Sequence, residues 1–338
     1  ILMVVTVRED GPAARAGLLP GDHIIKVNNQ LTKDIGLSKA IELMRGKPGE
    51  KIALTIRRPS TQEFKELEMV REIIKYSSVK DGMMLPESLT APYKIGYARI
   101  LQFTGETAID LANALDKLEQ DGMQAFVLDV RNNPGGLLST SVDTVGEFVP
   151  GGTVVLTTEG RPGQGNVKTY RTSLKRKRRE QTRDYPIAVL VNHSSASGAE
   201  VVAGALQDLK RAIVVGETSF GKGSVQRIIP LQNSGGKAVR MTIAKYYMPE
   251  SHRTIHENGV IPNIIATMTP KQERQLLDWF NRDSMSPEER KKIEEFEDPQ
   301  LIRSVDAMKG ALVYSDINQD KGEAPDAEED QPAEPASE

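Results

Sequence analysis

The sequence contains no cysteine among its 338 residues, and this absence excludes several kinds of chemistry. Without thiols the chain can form no disulfide, no cysteine nucleophile and no thiolate metal site. The absence leaves the redox compartment open, because cysteine-free proteins occur on both sides of membranes. No run of about 18 apolar residues is present either, so we expect no segment that spans a bilayer.

An excess of charge of one sign is also missing, since the formal net charge at pH 7 is only −3. Nucleic-acid binding domains usually carry a strongly basic surface, so we expect no nucleic-acid partner. The length favours two or three domains with ample material for a core. The chain begins at Ile1 without a visible signal peptide, and we interpret it as a mature or trimmed form.

A strand-to-helix junction rich in small residues is the main chemical feature that is present. An apolar run over 187–191 precedes small residues over 194–199, and a helical pattern follows over 200–209. A second apolar run over 212–215 leads to a lysine between two glycines, Gly221-Lys222-Gly223, with Gln226 four residues after Lys222. A serine at such a junction is exposed and lies near the N–H donors of the helix.

Lys222 could act as a general base only when its amine is neutral, a state that burial favours. Gln226 could hold the amine without adding charge, whereas a carboxylate there would keep it protonated. The residue types alone fit a glycine-rich phosphate cradle or plain α/β packing equally well. The pattern G-x-x-x-x-G-K-[ST] of phosphate-binding loops is absent.

The order of these motifs resembles that of the carboxyl-terminal processing, or tail-specific, proteases. The resemblance covers roughly residues 1–270 and rests on Ser195-Ala196-Ser197 followed by Glu200, on 203–208, and on 220–226. It implies a serine endopeptidase in which Ser197 is the nucleophile, Lys222 the base and Gln226 the residue that orients the lysine. Ser195 is the competing candidate for the nucleophile.

A second chemical feature is a turn of sequence Asn-Asn-Pro-Gly-Gly over 132–136. It ends an apolar run over 125–130, which is typical of a strand buried on both faces. Two glycines at the end of a strand allow backbone N–H groups to point at a bound anion, although an ordinary turn is the commoner interpretation. The resemblance implies an oxyanion hole formed by Gly135 or Gly136 together with Gly198. We interpret Asp129 and Arg131 as structural.

Residues 1–72 form a β-rich pattern, with strands expected at 2–7, 23–27 and 51–57 and a short helix at 38–44. Pro12-Ala13 and Pro20-Gly21-Asp22 resemble the corresponding motifs of a PDZ domain, a module that captures an extended peptide beside a helix. The resemblance implies a peptide-binding groove that includes Leu37, Ile41 and Met44, although these apolar residues fit a place in the core of the module equally well. We expect the carboxylate-binding loop of this family to precede Ile1.

The expected fold is therefore an α/β protease core of crotonase-like architecture with an N-terminal PDZ domain and a C-terminal helical segment. We assign 1–72 to the PDZ-like domain, 73–94 to a linker and 95–269 to the core. Helices are expected over 270–316, one of them starting at Ser286-Pro287, before an acidic disordered tail over 317–338. The basic run over 175–179 is either a solvated loop or a contact for anionic lipid or an acidic partner.

The four histidines offer two further interpretations. His193 lies close in sequence to the proposed nucleophile, so a Ser–His mechanism is an alternative. His252 and His256 have the spacing of a metal pair on a helix, but Pro249 and Ser251 favour a loop, so we expect no metal.

The resemblance implies no cofactor and, as partners, proteins or peptides with apolar C-terminal ends. It allows an adaptor or activator protein, proximity to a membrane surface and a homo-oligomer. It also implies an extracytoplasmic location, most often the bacterial periplasm or cell envelope. The alternative functions are a non-catalytic PDZ scaffold and a crotonase-like acyl enzyme.

Overall fold

The computed structural model of the chain describes residues 2–4, 7, 11–73, 77–161, 167–173, 182–231, 237–282, 285, 290–291, 293 and 296–322, apart from the side chains of 227, 228 and 319–322. The chain divides into two compact units, residues 1–76 with 274–296 and residues 77–273 with 297–338. The basic run over 175–179, the helix start at 286–287 and the tail beyond 322 lie outside the described residues.

The first unit is built on a small antiparallel sheet with strand order β1–β2–β4–β5, in which β3 pairs with β2. Its strands are β1 (Leu2–Met3), β2 (His23–Val27), β3 (Gln30–Leu31), β4 (Lys51–Arg58) and β5 (Glu63–Val70), and its helices are α1 (Pro12–Arg15) and α2 (Thr32–Met44). Helix α2 begins six residues before the predicted start and is interrupted at Gly36, where φ is 71°. Val27, Ala40 and Ile56 are fully buried between the sheet and α2.

The second unit contains a six-stranded sheet with the order β15–β12–β11–β8–β7–β6. Its strands are β6 (Val79–Met84), β7 (Ile95–Ile100), β8 (Ala125–Asp129), β11 (Ile187–Val191), β12 (Ile213–Gly216) and β15 (Ile264–Ile265). All neighbours are parallel except β6, which runs antiparallel to β7. We expected a linker over 73–94, and this was wrong for residues 79–84, because they form β6 within the core sheet.

Helices cover both faces of this sheet, so β8 and β11 are apolar along their whole length. One face carries α4 (Thr107–Gln120), α5 (Leu138–Val145) and α6 (Gly198–Asp208). The other face carries α8 (Pro299–Gly322), which buries Val305, Met308 and Leu312. Helix α8 continues past residue 317, where we expected a disordered tail to begin, so this prediction was wrong for residues 317–322.

A smaller antiparallel sheet and two further helices complete the described elements. The sheet has the order β10–β9–β14–β13, with β9 (Val154–Glu159), β10 (Val167–Arg171), β13 (Ser224–Pro230) and β14 (Ala238–Tyr247). The helices are α3 (Glu87–Thr90) and α7 (Pro270–Phe280). No helix in the described ranges combines the length and the apolarity needed to cross a membrane. The mixed α/β class is confirmed, and the crotonase-like comparison stays a prediction.

Candidate active site

Three chain segments that carry the predicted chemistry follow three neighbouring parallel strands, β8, β11 and β12. The Asn-Asn-Pro-Gly-Gly turn follows β8, the serine loop over 192–197 follows β11, and the lysine segment over 217–223 follows β12. Ligand sites of open α/β sheets lie outside the carboxyl ends of the strands. The topology therefore brings the three segments to one edge of the sheet.

Ser197 lies at the N-terminus of α6 in an unusual backbone conformation, with φ at 54° and ψ at −112°. Positive φ is rare for residues other than glycine and costs free energy, which the surrounding contacts must offset. A strained serine at a strand–turn–helix junction projects its hydroxyl away from the backbone. Ser197 is partly buried, so its side chain remains accessible.

Ser195, the competing nucleophile, has a different environment. It is fully buried, its Oγ donates to the carbonyl of Val130 at 2.8 Å, and the same Oγ accepts the N–H of Asn192 at 3.0 Å. A hydroxyl held in this way fastens the serine loop to the end of β8 and is not exposed to a substrate. The geometry favours Ser197.

Glu200, on the first turn of α6, connects the serine segment to the lysine segment. Its fully buried carboxylate accepts the backbone N–H of Ser197 at 2.8 Å and that of Lys222 at 2.9 Å, both through Oε2. Its Oε1 accepts the hydroxyl of Ser219 and the N–H of Gly221, each at 2.6 Å. Sequence reasoning placed Glu200 in the family motif without a role. The sequence does contain a pattern that could have indicated this role, the capping box, in which a glutamate lies three residues after a serine at the start of a helix.

The side chains of Lys222 and Gln226 do not join this arrangement. Both are exposed, and neither side chain makes a hydrogen bond or ion pair within the described part of the chain. We expected burial to favour the neutral amine of Lys222, and this structure does not bury it. The backbone is nevertheless closely packed, because a Cβ on Gly223 would lie 2.4 Å from the nitrogen of His256.

The glycines of the predicted oxyanion hole do come together. A Cβ on Gly135 would lie 2.7 Å from the nitrogen of Gly198, so the turn packs directly on the serine segment. The N–H of Gly135 already donates to Oδ1 of Asn133 at 2.8 Å. Among the described residues, the N–H groups of Gly136 and Gly198 have no acceptor. These two donors are therefore the ones available to a bound oxyanion.

A buried ionic network holds the strand end that precedes this turn. Arg131 forms ion pairs with Asp129 at 2.6 Å and with Asp298 at 2.7 Å, and its Nη1 donates to Gln300 at 3.0 Å. Burial alone would lower the pKa of Arg131, but the two carboxylates outweigh burial and hold this pKa well above its ordinary value. The predicted structural role of Asp129 and Arg131 is consistent with this geometry.

Among the described residues, no hydrogen bond or ion pair joins a histidine to Ser197. His193 is exposed, and its Nδ1 lies 3.7 Å from Glu217 and 3.9 Å from Glu273. His252 lies 3.3 Å from Glu159, whereas His256 lies beside Glu257 at 3.7 Å. The two histidines of the suspected i, i+4 pair therefore face different carboxylates.

The first unit contains a groove of about 490 Å³ between β2 and α2. It is lined by Leu2, Ile24, Ile25, Leu31, Thr32, Lys33, Gly36, Leu37 and Ala40. Of the three predicted groove residues, Leu37 lines it and is 60% exposed. Ile41 lies outside this lining and Met44 packs against the core of the unit, so a role of these two residues in peptide capture stays a prediction.

Comparison with known proteins gives two family matches. Residues 94–266 match peptidase family S41, and residues 3–58 match the PDZ domain. A carboxy-terminal-processing protease of Bartonella bacilliformis is 40% identical over 79% of this chain and 58% of the relative. A carboxyl-terminal-processing protease of Synechocystis sp. is 37% identical over 75% of this chain and 56% of the relative. The chain thus spans a little more than half of these relatives.

Among solved structures, a putative S41 protease from Bacteroides fragilis matches with a TM-score of 0.52. The alignment covers 90% of this chain and 77% of that one, at 17% identity. At this identity the likeness extends to the fold alone.

Proposed function

The chain belongs to peptidase family S41 and contains a PDZ domain, and on this premise we propose that it is a serine endopeptidase that recognises C-terminal segments of proteins. It would cleave the captured polypeptide with a Ser197–Lys222 dyad, in processing or in quality control. The two relatives are both named as proteases that process carboxyl termini, which supports this choice of substrate.

The main observation behind the proposal concerns the carboxylate of Glu200. One of its oxygens, Oε2, accepts hydrogen bonds from the backbone N–H groups of both Ser197 and Lys222. Two N–H groups shared by one acceptor must lie close together, so the nucleophile and the base come from segments fixed side by side. The free N–H groups of Gly136 and Gly198 beside Ser197 add the electrostatic part of the site.

In the proposed reaction the Oγ of Ser197 attacks the scissile carbonyl, and the neutral amine of Lys222 accepts the hydroxyl proton. The same proton then goes to the leaving amine, and water hydrolyses the acyl-enzyme. Gly136 and Gly198 donate to the tetrahedral oxyanion, and one such donor typically contributes about 3–4 kcal/mol.

The exposed Lys222 implies a closing step before chemistry. Its amine makes no hydrogen bond with the described residues, so it must be brought within hydrogen-bonding distance of Ser197 and held there by Gln226 before proton transfer. A polypeptide lying across this edge of the sheet would exclude water and so favour the neutral amine. Substrate binding would therefore complete the dyad.

A second candidate, a PDZ scaffold without catalysis, is favoured by the same exposure of Lys222 and by the absence of a hydrogen bond from its amine to any described residue. For either function we propose an extracytoplasmic location. The proposed partners are proteins that bear apolar C-terminal ends. Further candidate partners are an adaptor or activator protein, a membrane surface and a second copy of the chain.

The test compares cleavage of an unfolded protein with an apolar C-terminal tag by the wild type, Ser197→Ala and Lys222→Ala. Ser194→Ala is the matched control, because Ser194 lies in the same loop and is partly buried. We expect cleavage by the wild type and the control and none by the two site variants. Tag binding without cleavage by any of the four proteins would support the scaffold, and equal cleavage by all four would refute the dyad.

A further inference from the structure

A cluster of metal-ligating side chains lies apart from the proposed dyad. His193, Glu217 and Glu273 each offer one ligand atom, and these atoms all lie within 4.8 Å of one another. The Nδ1 of His193 is 3.7 Å from Oε2 of Glu217 and 3.9 Å from Oε1 of Glu273. These distances are too long for hydrogen bonds, so the imidazole faces both carboxylates without bonding to either. We propose that these three side chains bind a zinc ion.

The donor set selects the class of ion. Imidazole together with carboxylates suits zinc and neighbouring transition metals, whereas calcium and magnesium require oxygen ligands only. Two carboxylates supply the two negative charges that a divalent ion needs. A tetrahedral zinc ion would keep its fourth position for water.

The spacing of the ligand atoms is compatible with an ion between them. Zinc bonds of about 2.0–2.2 Å place tetrahedral ligand atoms about 3.3–3.6 Å apart, so a small inward rotation of the side chains is sufficient. His193 and Glu273 can rotate, because their side chains are 62% and 41% exposed. Glu217 is less exposed and is already oriented, since its Oε1 accepts the N–H of Met268 at 3.0 Å. That bond leaves Oε2 directed at His193.

The three backbones are held independently of any ion. His193 and Glu217 follow the ends of β11 and β12, where Val191 pairs with Gly216, and the N–H of Glu217 donates to the carbonyl of Val191 at 3.1 Å. Glu273 lies in the first turn of α7, and its N–H donates to Thr269 at 3.0 Å. Little backbone order would have to be gained on binding.

The site lies close to the catalytic edge of the sheet. Asn192, the residue before His193, accepts the N–H of Asn132 at 2.9 Å and donates its amide to Oδ1 of Asn132 at 3.0 Å. An ion held by His193 would therefore restrain a loop that contacts the predicted oxyanion turn and leads to Ser197.

The experiment measures zinc affinity of the full chain without a histidine tag, by competition with a chromophoric chelator. Variants are His193→Ala and Glu273→Gln, whose exposed side chains can be replaced without disturbing the core. The control is His252→Ala, since His252 is equally exposed and also lies beside a glutamate. Unchanged circular dichroism verifies the fold of each protein.

We expect one zinc ion per wild-type chain, an affinity lower by about 100-fold or more in His193→Ala and Glu273→Gln, and no change in His252→Ala. Zinc should raise the Tm of the wild type and of the control but not of the two site variants, and calcium should not compete. The proposal is overturned if the wild type binds no zinc below about 100 µM, or if His193→Ala binds zinc as the wild type does.

Discussion

Replacing Glu200 by glutamine tests how the proposed nucleophile and base are kept together. Glu200→Gln preserves the size of the side chain and exchanges one oxygen for an NH₂ group. All four partners of this buried group are donors, two at each oxygen. An NH₂ at the Oε2 position would lose both N–H donors there, whereas an NH₂ at the Oε1 position can donate to the rotated hydroxyl of Ser219 and loses only the bond from the N–H of Gly221. The second orientation is favoured, so one hydrogen bond is lost and the two N–H donors at the other oxygen face a neutral acceptor.

The structure sets the size of the expected effect. A hydrogen bond to a charged group contributes about 1.5–3 kcal/mol and one to a neutral acceptor about 0.5–1.5 kcal/mol, so one lost bond and two weakened bonds should cost about 3–6 kcal/mol in all. If about half of this loss falls on the alignment of Ser197 with Lys222, kcat/KM decreases by about 10–100-fold, because 1.4 kcal/mol corresponds to a factor of ten. The rest should appear as easier local opening of the segment that contains Gly221 and Lys222.

Two measurements separate the loss of catalytic alignment from the local opening of the lysine segment. The first is kcat/KM on a tagged unfolded protein, and the second is hydrogen exchange of the Gly221 and Lys222 amides. Asp208→Asn is the control, because Asp208 lies at the opposite end of α6 and its carboxylate also accepts two backbone N–H groups. We expect the control to keep both the turnover and the exchange of the lysine segment. A folded Glu200→Gln variant with wild-type turnover and exchange would refute the positioning role of Glu200.

Two further predictions concern the first unit. Leu37→Asp places a charge in the groove and should weaken the binding of apolar C-terminal peptides at least about tenfold, as measured by fluorescence anisotropy. Ile41→Asp is the control, because Ile41 lies outside the lining of the groove, and it should leave peptide affinity unchanged. An equal loss of affinity in both variants would contradict the groove assignment. The hydrogen bond from Arg58 outweighs burial and lowers the pKa of Asp22, so this pair stabilises the fold at neutral pH and the stabilisation is lost as the pH falls through the lowered pKa. Asp22→Asn should therefore lower the free energy of unfolding in urea by about 1.5–3 kcal/mol at pH 7. The difference in this free energy between variant and wild type should become smaller below about pH 4. A difference that does not depend on pH would contradict this prediction.

The sequence predicted those parts of the fold that depend on local pattern. The apolar runs that became β8 and β11 are buried on both faces, so their composition alone indicates central parallel strands. Strand β6 was missed because its sequence, Val-Lys-Asp-Gly-Met-Met, carries charge and glycine, and its pairing with β7 is what makes it a strand. Tertiary contacts override local propensity in such edge strands.

The sequence alone also predicted only part of the candidate site. A motif could name Ser195 and Ser197, but only the buried bonds of Ser195 distinguish the two. Gly135 and Gly136 are adjacent in sequence, and the hydrogen bond of one to Asn133 decides which N–H remains available.

The cluster of His193, Glu217 and Glu273 could not be predicted from the sequence. His193 and Glu273 lie 80 positions apart, and no spacing rule connects them to Glu217.

The most direct test of the central claim is the site at which the chain is acylated. The wild-type protein is mixed with an activated ester of a short apolar peptide and quenched in acid, and the acyl adduct is mapped by peptide mass spectrometry. The proposed mechanism predicts one adduct on Ser197, formed far more slowly in Lys222→Arg because arginine stays protonated. An adduct on Ser195, or an adduct that persists in Ser197→Ala, would contradict it.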